Sequence, residues 1–102
     1  MKFPIPLPFT IYITQDDINK SSHAPNCPTA HAVCRRLPKK FSCLARYHSI
    51  DIFTKDEHGH YYITHKIKIP DRLSKWIKSY DRDEEVRPVR FPITKNDITR
   101  IP

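Results

Sequence analysis

Cys27, His31 and Cys34 are spaced four and three apart, with His23 four residues before Cys27. On a helix the first three would lie near one face, and thiolate and imidazole are the ligands that zinc takes. Structural zinc sites usually gather two separated ligand pairs, and the chain has no C-x-x-C. Buried packing is the competing reading, because cysteine is among the most buried residue types. His48, His58, His60 and His65 add ligand types further on, but no spacing fixes them. A cysteine nucleophile would need a base within hydrogen-bond reach and a group to orient that base. Thiols and imidazoles are present only as composition. No phosphate-binding glycine loop, paired-carboxylate motif or nucleophile elbow accompanies them. The expectation is a protein without enzymatic activity, metal or cofactor.

Cations make a second constellation. Arg35, Arg36, Lys39 and Lys40 place four positive charges in six residues, and no acidic residue lies between Asp17 and Asp51. Such side chains are expected to be exposed, because unpaired Lys and Arg are almost never fully buried. They form either a solvated helix end or an anion-binding patch. Further on, Tyr47, Phe53, Tyr61 and Tyr62 interleave with Arg46, Lys55, Lys66 and Lys68. That mixture suits nucleic acid, with cations for phosphates and rings for bases. An ordinary sheet with aromatic cross-strand pairs would use the same residues. The candidate binding residues are Arg35, Arg36, Lys39, Lys40, Arg46, Lys66 and Lys68.

Composition supports a polyanionic or acidic partner. The 102 residues carry 18 basic and 11 acidic side chains, a net charge of +7. No apolar run is long enough to span a membrane. The apolar N-terminus is interrupted by Pro4, Pro6 and Pro8, which does not read as a signal peptide. Three cysteines without a secretory signal fit reduced thiols better than a disulfide frame.

These side chains need a scaffold, and the pattern predicts one. Residues 1–8 alternate proline with apolar residues and should be extended. Phe9–Ile13 has strand character, and Thr14 with Asp17 caps a helical turn. Pro28 suits the first turn of a helix capped by Asn26 or Cys27. In that helix Cys27, Ala30, Val33, Cys34 and Leu37 form the apolar stripe, and Pro38 stops it. Phe41–Leu44 is an apolar patch.

Arg46–Thr54 and Tyr61–Ile69 read as a hairpin whose loop holds Gly59, the only glycine. Strict alternation in its second strand puts Ile63, His65, Ile67 and Ile69 on the core face. Tyr62, Thr64, Lys66 and Lys68 then face solvent. Leu73, Trp76, Ile77 and Tyr80 mark an amphipathic helix opened by Pro70, with Trp76 expected to be largely buried. Val89, Phe91 and Ile93 alternate with Pro88, Arg90 and Pro92 in an edge strand. Ile93-Thr-Lys-Asn-Asp-Ile98 echoes Ile13-Thr-Gln-Asp-Asp-Ile18, as though both used one strand-to-turn device. Residues 94–102 would be a loose tail. The expected whole is a single α+β domain over residues 1–102. It has an antiparallel sheet with two helices in the order β-α-β-β-α-β.

Three motifs also carry a resemblance. They are the strand and Thr-led turn at Ile11–Ile18, and the helix of Asn26, Cys27, Pro28, Ala30 and Ala32 ending in Arg35 and Arg36. The third runs from Pro70, Ile77, Tyr80 and Asp81 to Pro88, Val89 and Phe91. Together they resemble a family of small uncharacterised proteins of tailed phages and prophages. Thr29 and His31 depart from the apolar residues expected there. The resemblance implies a phage-type accessory protein acting in the cytoplasm of a bacterial host. The basic surface favours nucleic acid as the partner over an acidic host or phage protein; the alternative is a protein–protein effector that docks on a host or defence protein, inhibition of host immunity included.

Overall fold

A computed structural model describes residues 2–21 and 27–101. Asn26 and His23 lie outside the described residues. Within them the chain is an α+β domain with two antiparallel sheets. It runs β1 (Phe9–Ile13), α1 (Gln15–Lys20), α2 (Pro28–Cys34), β2 (Phe41–Ala45), β3 (Ser49–Lys55), β4 (Tyr61–Lys68), α3 (Asp71–Asp81), β5 (Val89–Ile93) and β6 (Ile98–Arg100). β1 pairs with β5 alone, while β2-β3-β4-β6 form the larger sheet.

The fold class agrees with the sequence reading, but the order is richer than β-α-β-β-α-β. The Thr14-led turn becomes a full helix, α1. The patch after the basic cluster is strand β2, paired with β3 from Phe41↔Thr54 to Ala45↔Ile50. The supposed loose tail instead makes one 3-10 turn at Lys95–Asp97 and then β6, which pairs with β4. No described helix is long and apolar enough to cross a membrane.

Local chemistry explains the helices. In α1 the Thr14 hydroxyl accepts from the Asp17 N–H at 3.1 Å, and the Asp17 carboxylate accepts from the Thr14 N–H at 2.9 Å. Each residue thus satisfies an orphan donor of the other. α2 opens with Pro28 behind Cys27 at the cap position. It packs against α1, β1 and β2. The small side chains of Ala30 and Ala32, both buried, suit that crowding. It stops at Cys34, short of Pro38, with Arg35 as the C-cap.

α3 buries Leu73 and Ile77 as the stripe requires. Its end is a Schellman turn. Asp83 takes φ 60°, Glu84 N–H reaches the Ser79 carbonyl, and Asp83 N–H reaches that of Tyr80. Trp76 is half-buried instead of enclosed. Its indole N–H needs an acceptor and finds the Arg87 carbonyl at 2.9 Å, which holds the ring at the stripe's edge, stacked on Tyr80.

The core lies between the two sheets and the helices. Ile11, Ile13, Val33, Ile50, Ile52, Ile67, Leu73 and Ile93 are essentially fully buried in it. The N-terminal segment joins it through Ile5, and Phe3 meets the His65 ring edge-on at 5.3 Å.

Candidate nucleic-acid interface

The hairpin β3–β4 does not alternate strictly. Ile52 pairs with His65, but the next pair is Phe53 with Ile63, so Thr64 is an extra residue on β4. This is a β-bulge, and it shifts the parity of everything before it on that strand. Thr64 itself is buried, its hydroxyl 3.4 Å from the Ile52 carbonyl and 2.9 Å from His65 Nδ1. His65 and Ile67 point into the core as expected. Ile63 does not: it turns to the opposite face with Tyr61, Lys66 and Lys68, and Tyr62 falls on the core side, near the hairpin tip. The strict alternation expected from the sequence fails here because of one inserted residue.

The outer sheet face is therefore mixed aromatic, apolar and cationic. β2 contributes Ser42 and Leu44, β3 contributes Ser49, Asp51, Phe53 and Lys55, and β4 contributes Tyr61, Ile63, Lys66 and Lys68. Phe53 and Tyr61 meet edge-to-face at 5.5 Å, and Lys55 Nζ stands 4.9 Å from the Tyr61 ring centre. Tyr61 is 62% exposed, while Leu44, Phe53 and Ile63 are half-buried.

Seven candidate cations divide into three groups. Arg46 and Lys66 flank the buried carboxylate of Asp51, at 3.1 and 3.6 Å, with exposed Lys68 beside them on the ladder. Lys39 and Lys40 are exposed at the opposite end of β2, where the Lys40 carbonyl accepts from Thr54 and its ammonium lies over the Phe41 ring. From Ser49 to Thr54 the strand advances about 17 Å, so these two groups mark the two ends of the sheet.

Arg35 and Arg36 form the third group, beside β1. Arg36 is exposed, 5.8 Å from the Phe9 ring centre. Arg35 is committed to structure: its guanidinium donates to both Asp17 oxygens, at 2.7 and 3.0 Å, and to the Tyr12 carbonyl at 2.9 Å. The basic cluster is thus not free of acidic neighbours, since Asp17 comes back to it through the fold. Burial pushes the Asp17 carboxyl up, but the Arg35 and Thr14 hydrogen bonds outweigh this and hold it below its ordinary value. Lys55 and the Phe53–Tyr61 pair belong to the face but are missing from the seven candidates. Their signal was the aromatic-basic interleaving itself.

The three thiols lie at the two ends of α2 and on β2. Cys27 is buried at the start of α2, and burial pushes its thiol pKa up. Cys34 ends the same helix, exposed, with its sulfur 2.9 Å from that of Cys43 on β2. Among the described residues no group of three His, Cys, Asp or Glu is placed to hold a metal ion. A pocket of about 220 Å³ lies between Cys27, Ala45, Arg46, Tyr47, Ile77 and Asp81. The Tyr47 hydroxyl donates to Asp81 across it at 2.8 Å.

Fold and face together define an α+β domain with one cation-lined sheet surface. No protein-family model, curated protein or solved structure matches the chain.

Proposed function

We propose that the protein is a small non-enzymatic binding protein that takes single-stranded nucleic acid on the outer face of the β2-β3-β4-β6 sheet. The observation that carries the reading is the bulge at Thr64, which turns Tyr61 and Ile63 onto the face of Lys66 and Lys68. Bases stack on exposed rings whatever their sequence, and lysines meet the phosphates between them. Lys55, Lys66 and Lys68 supply the charge, Phe53 and Tyr61 the rings, and Arg36, Lys39 and Lys40 extend the positive field. A phage-type accessory role in the host cytoplasm accords with the motif resemblance.

Fluorescence anisotropy with labelled oligouridylate and oligothymidylate, over a salt series, tests this. Affinity should fall steeply with salt, and reversing Lys66 and Lys68 to Glu should flatten the slope by about two. Tyr61→Ala should cost about 1–3 kcal/mol of binding. Unchanged affinity in both variants would remove the sheet face from consideration.

A second reading is supported by the same surface. Leu44, Phe53 and Ile63 are half-buried among the cations, a pattern suited to docking an acidic host or phage protein. Binding that survives high salt, with no retention of oligonucleotide, would favour it.

A further inference from the structure

Cys34 and Cys43 belong neither to the sheet's outer face nor to the pocket. Cys34 is exposed where α2 ends, and Cys43 is buried on the core face of β2. Their sulfurs lie 2.9 Å apart, and the Ala30 carbonyl lies 3.3 Å from the Cys43 sulfur as an alternative acceptor. A disulfide bond is about 2.05 Å long, so about 0.9 Å of approach separates contact from bond. The Cys43 thiol hydrogen bond lowers the Cys34 pKa, against its partial burial, to about 7. That direction favours the thiolate of Cys34, and the thiolate is the nucleophile.

We propose that Cys34 is a peroxide-reactive thiol and Cys43 its resolving partner. The Cys34 thiolate attacks one oxygen of hydrogen peroxide. The S–O bond forms, the O–O bond breaks, and hydroxide leaves. The Cys43 sulfur then attacks the sulfenic sulfur. The S–S bond forms, the S–O bond breaks, and the departing hydroxide leaves as water with the Cys43 proton. Two thiols lose two electrons, and the peroxide is reduced to water. The product ties the end of α2 to the middle of β2, and a dithiol reductant reverses it by exchange. The one oxidisable thiol in solvent thus has its partner waiting beneath it, which protects it from over-oxidation.

The test uses the full chain, reduced and then exposed to a small molar excess of hydrogen peroxide. Remaining thiols are alkylated, and the intact mass and peptide map are read. The expected product carries one alkyl group instead of three, on Cys27, with Cys34 linked to Cys43 and the link lost in dithiothreitol. Cys27→Ser should form the same link, and Cys43→Ser should instead accumulate a sulfenic acid at Cys34 that dimedone traps. Three alkyl groups after peroxide, a link through Cys27, or Cys34 oxidised onward to sulfinic acid without a link would each overturn the proposal. None of these outcomes depends on whether the sheet face binds nucleic acid.

Discussion

Two similar segments, Ile13-Thr-Gln-Asp-Asp-Ile18 and Ile93-Thr-Lys-Asn-Asp-Ile98, close the two strands that pair with each other and differ only at Gln15/Lys95 and Asp16/Asn96. In both, the Asp three residues after the Thr accepts from the Thr N–H at 2.9 Å. Beyond that they diverge. Asp17 is 4% exposed and receives both arms of the Arg35 guanidinium, and a six-residue helix follows Thr14. Asp97 is only half-buried, its further donor is the Thr94 hydroxyl at 3.3 Å, and the turn after Thr94 lasts three residues. Local sequence sets the shape of a cap, while a distant cation decides what the cap is worth. Arg35 makes the first segment a junction between β1, α1 and α2.

Substitutions can break this contrast in order of size. Asp17→Ala should cost the most, about 2–3 kcal/mol, because it removes the cap and leaves Arg35 without its partner. Urea unfolding reads it directly. A loss under about 1 kcal/mol, typical of a cap alone, would mean that the guanidinium adds nothing.

Acid provides a second, graded test. The folded Asp17 pKa lies below 3.8, its value in the free side chain. Its contribution is therefore fully present above the unfolded pKa and disappears as pH falls through the lower folded value. Stability should decline across that acid window, and Asp17→Asn should decline less. Equal slopes for the two proteins would discard the account. Arg35→Lys keeps the charge but loses the planar two-armed contact, and should cost about 1–1.5 kcal/mol. Recovery of full stability by lysine would show that charge, not geometry, matters. Smallest of all, Asp97→Ala should cost about 0.5–1 kcal/mol. A loss matching that of Asp17→Ala would erase the difference between the segments.

What could be read from the chain follows the range of the interactions involved. Leu73 and Ile77 bury as their spacing dictates, and Thr14 with Asp17 caps as its motif dictates, because those signals lie within one helical turn. β2 carries no strand signal of its own, because Phe41–Leu44 is short and acquires its identity from β3. β6 has three residues, two of them exposed, and no pattern of its own. Arg35 and Asp17 are eighteen residues apart, and only the packing of α2 on β1 and α1 brings them together. The candidate face was legible in its residue types and illegible in its geometry. Whether Tyr61 and Ile63 point in or out depends on one unpaired Thr64, for which the strand carries no marker.

The pairing of β1 with β5 has a consequence for how the chain comes to be folded. Phe9 lies opposite Ile93, so one of the earliest strands and one of the last complete each other. During synthesis β1 leaves the ribosome long before Val89–Ile93 exists, carrying Phe9, Ile11 and Ile13 with no strand to cover them. The hairpin β3–β4 closes a short loop and can form early, whereas the β1–β5 ribbon closes nearly the whole chain and carries the larger loop entropy. Until the ribbon forms, β1 is an unpaired hydrophobic strand, open to self-association or to a chaperone. A chain stopped before Val89 should therefore keep its hairpin and self-associate more than the full chain, as light scattering would read.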